Sequence, residues 1–271
     1  MTEARRREAR EALAIAERLA REAGEIQRKR YETSFQVETK GTSTNLVTEV
    51  DKQCEALIVE AIERERPGEG ILAEEGGGHD DRSAEWCWVV DPLDGTTNFA
   101  HGYPRFCVSI GVERDGEREA GAIYDPLLDE MFLASRGDGA TLNGKPLRVS
   151  NEATLVNALA ATGFAYDIHQ SEDDNLANFA RMIKATRAVR RDGSAALDLC
   201  YVAAGRFDAF WEFKLHPWDV SAGVVIVEEA GGRCTDVVGD PVPRSGAEII
   251  ASNTALHDSI LELLERHGQH N

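Results

Sequence analysis

The 271-residue chain has few cysteines, few cations and no long hydrophobic run. Its five cysteines are an odd number without a C-x-x-C pair, so we expect buried free thiols rather than disulfides or a zinc site. No stretch approaches the roughly 20 apolar residues of a membrane span. The 48 acidic residues outnumber the 30 Lys and Arg, and the net charge of −18 argues against binding to nucleic acid or to anionic lipid. We therefore predict a cytoplasmic protein with no nucleic-acid or membrane partner.

Hydrophobic spacing and turn residues predict an α/β chain. Helices are expected over residues 3–30 and 49–66, and short strands over 70–73 and 86–90. Turn dipeptides such as Asn143-Gly144 predict a meander of hairpins over 106–149.

The second half of the chain alternates strands and helices. Strands are expected over 155–162, 208–212 and 248–251, with helices over 175–186, 194–204 and 218–230 and another starting near Asn253. We expect one layered α/β domain over residues 1–271, with two lobes of about 1–150 and 151–271.

The strongest local signal is the stretch from Asp91 to Thr96, which follows a hydrophobic strand. Pro92 forces a turn that returns Asp94 to Asp91, and two carboxylates with a carbonyl between them form an oxygen site suited to Mg²⁺ or Mn²⁺. The amides of Gly95 and Thr96 would cradle a phosphate at a helix start. An Asx-turn with a helix cap explains the same stretch equally well.

Other acids share this ambiguity. Glu74 ends the preceding strand and would reach the same sheet edge as Asp91, or it belongs to a solvated loop. Asp51 and Asp219 open helices and fit either an active site or a cap. His216 has neither zinc-type nor triad spacing, and we expect it to brace a loop.

Several separated segments, in order, resemble the motifs of the inositol monophosphatase family, and bacterial-type inositol-1-monophosphatases in particular. The resemblance runs from about residue 8 to 266. Asn45 departs from it, since the family usually has Asp there. The segments are Lys40 with Leu46 to Asp51, Asp91 to Phe99 (D-P-[IL]-D-G-T-x-N-F), Arg191 to Ala196, Phe210 to Glu212, and Trp218 to Gly223 (W-D-x-[AS]-[AG]) running into E-A-G-G at Glu229 to Gly232.

The resemblance implies a fold, an assembly and a set of metal ligands. The fold is a layered αβαβα sandwich of the inositol monophosphatase and fructose-bisphosphatase type, and the assembly is a lithium-sensitive homodimer. Glu74, Asp91 and the Leu93 carbonyl would hold one Mg²⁺. Asp91, Asp94 and Asp219 would hold a second, and Glu74 would help place a weaker third; Mn²⁺ would substitute.

The resemblance also implies the catalytic and substrate-binding residues. Thr96, hydrogen-bonded to Asp51, would orient and help deprotonate the attacking water, with Glu74 as the third catalytic residue. The residues expected to contact the substrate are Asp94, Gly95, Thr96, Gly193, Ser194, Ala195, Glu212 and Asp219.

The implied function is a Mg²⁺-dependent phosphomonoesterase acting on inositol monophosphate or a similar small polyol phosphate. Related phosphatases act on 3′-phosphoadenosine 5′-phosphate, fructose 1,6-bisphosphate or histidinol phosphate, and these are the alternatives. A binding protein of the same fold without turnover is a further one.

Overall fold

The computed structural model describes residues 2–40, 43–78 and 84–264, and within these ranges it contains seven α-helices and fourteen strands. The helices are α1 (Glu3–Arg30), α2 (Glu49–Glu65), α3 (Thr96–Ala100), α4 (Leu176–Ala185), α5 (Ala195–Ala203), α6 (Pro217–Glu229) and α7 (His257–Leu263). The strands are β1 (Val37–Thr39), β2 (Leu46–Thr48), β3 (Gly70–Ala73), β4 (Trp86–Asp94), β5 (Cys107–Arg114), β6 (Glu117–Asp125), β7 (Glu130–Ser135), β8 (Gly139–Leu142), β9 (Lys145–Pro146), β10 (Leu159–Thr162), β11 (Ala188–Arg190), β12 (Ala209–Phe213), β13 (Gly232–Thr235) and β14 (Glu248–Asn253). None of the helices in these described ranges is both long enough and apolar enough to cross a bilayer.

The strands form two large sheets and a small ribbon of β1 and β2. The seven-stranded sheet has the order β3-β4-β5-β6-β7-β8-β9 and is antiparallel except for β3 and β4. The five-stranded sheet has the order β11-β10-β12-β14-β13, in which β10 runs parallel to β11 and β12. Because β3 and β4 are parallel, their carboxyl ends lie at one edge of the first sheet.

Helices and sheets stack in five layers. The first layer is α1 and α2, which pack on the seven-stranded sheet. The seven-stranded sheet is the second layer, and α5 and α6 form the third, between the two sheets. The five-stranded sheet is the fourth layer, and α4 and α7 cover its far face as the fifth. The expected αβαβα order is confirmed. The division into lobes near residue 150 stays a prediction.

Small residues allow the helices of the first layer to lie close to the sheet. The buried face of α1 repeats at helical spacing and consists mostly of alanine, with Leu19 as its large apolar side chain. Truncating Leu19 to Ala would leave a cavity and cost about 2–5 kcal/mol.

The middle layer is held against the first sheet by an equally close contact. A Cβ atom on Gly121 of β6 would lie 2.5 Å from the carbonyl oxygen of Ala222 in α6, which is inside any allowed contact. Only glycine therefore lets α6 approach β6 this closely. Asp219 lies in the first turn of the same helix, so this contact fixes where its carboxylate lies.

The expected long helices are confirmed within one or two residues, but three boundaries were wrong. The strand predicted over 86–90 continues to Asp94. The strand predicted over 155–162 begins at Leu159, because Leu155–Asn157 forms a 3₁₀ turn. Asn253 ends β14 instead of starting a helix, since its amide is held by Ser150 Oγ and the Glu152 carbonyl. Its oxygen accepts from the Leu256 amide as a cap would, but α7 begins only at His257.

Candidate active site

Asp91 and Asp94 lie at the end of β4, where that strand gains one residue relative to β5. Asp91 is opposite Ser109 and Asp94 is opposite Cys107, so three steps along β4 match two steps along β5. Side chains three residues apart in a regular strand point to opposite faces. The extra residue forms a β-bulge, which brings the second carboxylate to the face of the first.

Gln27 of α1 supports the bulge from behind. Its Nε2 donates to the Pro92 carbonyl over 2.8 Å and to the Cys107 carbonyl over 3.3 Å. The side chain is fully buried, and its own Oε1 has no hydrogen-bond partner among the described residues. Gln27 was not predicted from the sequence, although a polar side chain one turn after Ala23 on an apolar helix face was a signal.

Asp219 of α6 completes an acidic cluster with Asp91 and Asp94. One carboxylate oxygen from each lies within 4.8 Å of the others. Burial first, and then neighbouring carboxylate charge, raises the pKa of Asp91 and Asp219 well above the usual range. Burial also raises the pKa of Asp94. The cluster is therefore short of positive charge.

The donor set of this cluster fits a hard divalent cation. All three side chains offer carboxylate oxygen, and the Leu93 carbonyl, which accepts a hydrogen bond from Thr96 Oγ1 over 3.1 Å, lies in the same turn. Oxygen-only sites favour Mg²⁺ or Mn²⁺ over zinc. The turn and the helix cap that the sequence offered as alternatives are also present. Asp91 Oδ1 accepts from the Leu93 amide, and Asp219 Oδ2 accepts from the His216 amide. These acids form a turn and a cap in addition to the cluster.

Glu74 reaches the same edge from the parallel strand. Its amide donates to the Val90 carbonyl over 3.2 Å, and its charge is, after burial, the largest cause that raises the pKa of Asp91. The side chain is paired with Lys40, whose Nζ lies 3.1 Å from Glu74 Oε1 and also contacts Glu75. Glu74 thus lies beside the cluster with a cation of its own.

Helix α2 holds the loop that follows Glu74 in place through one side chain. Glu55 is buried and accepts from the Glu75 amide and the Gly77 amide, each over 2.7 Å. Burial raises the pKa of Glu75 to about 7. Neither glutamate was predicted, and the sequence signal for Glu55 was a charged residue on the buried face of α2.

Asp51 links the start of α2 to the turn after β4. Its Oδ2 accepts from the Thr48 amide over 2.9 Å and closes a capping box. Its Oδ1 accepts from Thr96 Oγ1 over 2.9 Å. Asp51 is therefore a cap, as one interpretation had it, and also the partner that the family resemblance implied for Thr96. Burial raises the pKa of Asp51.

The segment before α5 contacts the cluster from the second sheet. Ser194 Oγ donates to Asp94 Oδ2 over 2.5 Å, and the Ala196 amide donates to the same oxygen over 2.8 Å. The Ser194 hydroxyl is thus committed to Asp94, and Gly193 and Ala195 line the cavity beside it. Burial raises the pKa of Glu212, on β12, to about 8.

A cavity of about 620 Å³, within the usual range for small-molecule sites, is lined by the acidic cluster, Glu74, Glu212 and residues 193–195. Part of its wall is a loop of residues 163–169, whose role was not predicted from the sequence. Thr44 Oγ1 donates to the Tyr166 carbonyl over 2.8 Å, and Lys214 Nζ binds Asp167 over 3.0 Å and Ser171 over 2.6 Å. No apolar period or turn signal marked this loop.

Comparison with known proteins agrees with this geometry. A protein-family sequence model described as "Inositol monophosphatase family" matches residues 8–269. The chain belongs to the inositol monophosphatase family. An inositol-1-monophosphatase of Synechocystis sp. is 45% identical over 84% of this chain and 80% of its own length. Nus factor SuhB of Pseudomonas aeruginosa is 43% identical over 94% of this chain and 96% of its own.

Solved structures of the family superpose closely. The inositol monophosphatase from Anabaena (Nostoc) sp. has a TM-score of 0.85 at 42% identity, covering 94% of this chain and 95% of that one. The extragenic suppressor protein SuhB from Bartonella henselae has a TM-score of 0.87 at 36% identity, covering 94% and 99%.

Membership of the inositol monophosphatase family confirms that the protein is a phosphatase with the predicted sandwich fold. The family is metal-dependent, and the acidic cluster of this member has the ligand atoms that could hold a metal ion. The predicted absence of a nucleic-acid partner is not confirmed, because several relatives are named Nus factors.

Proposed function

We propose that this phosphatase uses Mg²⁺ to release phosphate from inositol monophosphate or a similar small polyol phosphate. The observation that carries the proposal is the convergence of Asp91, Asp94 and Asp219 at the edge of the cavity. A chain with a net charge of −18 binds a phosphate ester there only if cations reverse the local field.

The metal ligands would be oxygen atoms from both halves of the site. Asp91 and Asp94 come from the bulge, Asp219 comes from α6, and Glu74 and the Leu93 carbonyl lie next to them. When bound, two or three Mg²⁺ ions, or Mn²⁺ in their place, supply positive charge for the phosphate and acidify water.

Thr96 and Asp51 would handle the proton of the attacking water. When the Thr96 hydroxyl donates to Asp51 Oδ1, its lone pairs are free to accept a hydrogen bond from water. Burial raises the pKa of Asp51, which makes this carboxylate the better final acceptor for the proton.

The phosphate and the alcohol would be held by different groups. The amides of Gly95 and Thr96 start α3, where the first N–H groups of a helix have no intrahelical acceptor and favour an anion. Ala195 and Glu212 also line the cavity, where Glu212 would bind the hydroxyl groups of the alcohol.

A phosphate-release assay tests this proposal. The panel contains inositol monophosphate and the three alternatives, 3′-phosphoadenosine 5′-phosphate, fructose 1,6-bisphosphate and histidinol phosphate, each with Mg²⁺ and with excess chelator. We expect the highest kcat/KM for inositol monophosphate and no turnover in chelator. Full turnover in chelator would refute the metal assignment, and preference for another substrate would refute the substrate.

The names of the SuhB relatives support a second candidate, a Nus-factor role. The relative from Pseudomonas aeruginosa matches this chain over nearly its whole length. Cells that lack the protein would be complemented with wild type or with Asp91→Asn. Rescue of growth by the inactive variant would support a role that does not need turnover, and failure of that rescue in cells that contain the folded variant would exclude it.

Assembly and lithium inhibition are proposals that rest on the family, and the cytoplasmic location is a proposal that rests on the five free cysteines. A homodimer predicts a species of twice 29.7 kDa by light scattering at working concentration. Only a 29.7 kDa species would refute the dimer.

A further inference from the structure

We propose that Asn98 is a positioning residue that locks the substrate wall of the second half to the carboxylate turn of the first. The inference rests on the proposed function, since it assigns a residue that sets substrate specificity. Asn98 Nδ2 shares its two N–H groups among three backbone carbonyls, those of Arg105 at 2.7 Å, Asp192 at 2.8 Å and Gly193 at 3.2 Å.

These three carbonyls come from two parts of the fold. Arg105 lies in the connection between α3 and β5, on the side of the seven-stranded sheet. Asp192 and Gly193 lie between β11 and α5, on the side of the five-stranded sheet. Asn98 itself belongs to α3, directly after the Asp91–Thr96 turn. One amide nitrogen therefore bridges the two halves of the site.

The contact leaves little tolerance at either end. Asn98 is 8% exposed. Gly193 has a φ of +80°, and a Cβ there would lie 3.2 Å from both polar atoms of the Asn98 side chain. Three carbonyl acceptors require a donor, so a carboxylate of the same shape would repel all of them.

The position of this contact connects it to the chemistry. The residues that follow Gly193 are Ser194, which donates to Asp94, and Ala195, which lines the cavity. Releasing Asp192 and Gly193 from Asn98 would let this segment shift. Its first consequence would be a displaced wall on the alcohol side, and misplacement by about 1 Å costs up to about a hundredfold in rate.

The experiment compares two substrates at saturating Mg²⁺. Inositol monophosphate uses the wall, whereas p-nitrophenyl phosphate offers it no hydroxyl groups. For Asn98→Ala we expect the ratio of kcat/KM between the two substrates to fall about tenfold or more, mainly through a higher KM for inositol monophosphate. Asn98→Asp should lower the ratio at least as much.

A matched control separates positioning from general stability. Asn253 is also buried and also clamps backbone, with its amide donating to Ser150 Oγ and the Glu152 carbonyl, but it lies outside the cavity lining. Asn253→Ala should lower the Tm and leave the substrate ratio unchanged.

The outcomes are distinct. If folded Asn98→Ala, judged by circular dichroism and Tm, keeps the wild-type ratio, the proposal is wrong. If that variant does not fold, Gly193→Ala perturbs the same contact from the other side, and an unchanged ratio there overturns the proposal as well. Wild-type protein that hydrolyses neither substrate with Mg²⁺ would refute the proposed function instead.

Discussion

Replacing Asp91 by Asn removes one charge from the buried acid cluster and keeps the shape of the turn. The Leu93 amide donates to Asp91 Oδ1 over 3.0 Å, and an asparagine oxygen accepts the same hydrogen bond. We therefore expect a folded variant in which charge alone has changed. The metal-free protein should become more stable while metal binding and turnover are lost.

The gain in stability can be estimated from the geometry. The cluster oxygens lie within 4.8 Å of one another, and two full charges at that distance repel by about 3.5 kcal/mol at an effective dielectric of about 20. Burial raises the pKa of each acid, which disfavours full ionisation of the cluster, so less than this repulsion is recovered. We expect a gain of about 1–3 kcal/mol, or a rise in Tm of about 2–5 °C for a chain of this length.

The assay is thermal unfolding in chelator and in excess Mg²⁺, combined with phosphate release. Wild type should gain about 2.7 kcal/mol at a Mg²⁺ concentration of about 100 Kd, because the ion binds only the folded state. The variant should gain far less and should lose kcat, since its cluster carries one charge fewer.

Asp125→Asn is the matched control. Asp125 is buried at the end of β6 and forms the same kind of turn, accepting from the Leu127 and Leu128 amides, but it lies outside the cluster. It should keep the wild-type kcat and response to Mg²⁺. An Asp91→Asn protein that is less stable than wild type in chelator, or that keeps a near-normal kcat, would refute the reasoning and leave only the turn-and-cap explanation.

Three further changes test other parts of the structure. Glu212→Gln should raise the KM for a polyol phosphate by the equivalent of about 1–3 kcal/mol and keep kcat in steady-state kinetics; loss of kcat at unchanged KM would place Glu212 at the reacting centre. Gln27→Leu should weaken Mg²⁺ binding about 10–100-fold by calorimetry, whereas Leu19→Ala on the same helix should lower stability alone; equal affinities in the two would remove the supporting role of Gln27. Burial lowers the pKa of His257 to about 4, below its unfolded value of about 6.5. Its contribution to the free energy of unfolding is therefore full above about pH 6.5 and is lost as the pH falls toward 4. His257→Gln should reduce the change in urea-unfolding free energy over this pH range by up to about 3 kcal/mol, and an unchanged pH dependence would contradict this.

The sequence predicted which carboxylates would be metal ligands better than it predicted how the fold brings them together. Strand ends predicted that Glu74 and Asp91 share an edge, because short apolar runs end at both residues, and β3 and β4 are indeed parallel neighbours. The convergence of Asp91 and Asp94 depends on a β-bulge. A strand pattern of period two does not contain that bulge, since residues three apart belong to opposite faces. A turn at Pro92 was expected to bring the two carboxylates together, and in the structure β4 continues through Pro92 and a bulge does so instead.

The residues that support the site were missed for a different reason. Gln27 and Glu55 contact the site through tertiary packing, and neither of them lies within a motif. Each was visible in the sequence only as a polar side chain on the apolar face of a helix. They hold backbone groups of the site, and these contacts can be identified only once the fold is known.

Asp219 shows how far the site depends on the packing of whole layers. It lies more than 120 residues after Asp91, so no local spacing relates the two carboxylates, and only the family resemblance placed them together. In the structure their separation follows from how closely α6 approaches β6 at Gly121. A glycine in a strand interior normally weakens the strand. Here the glycine lets α6 pack close to β6, and this packing brings a third carboxylate to the bulge. The repulsion among the three carboxylates is what Asp91→Asn would relieve.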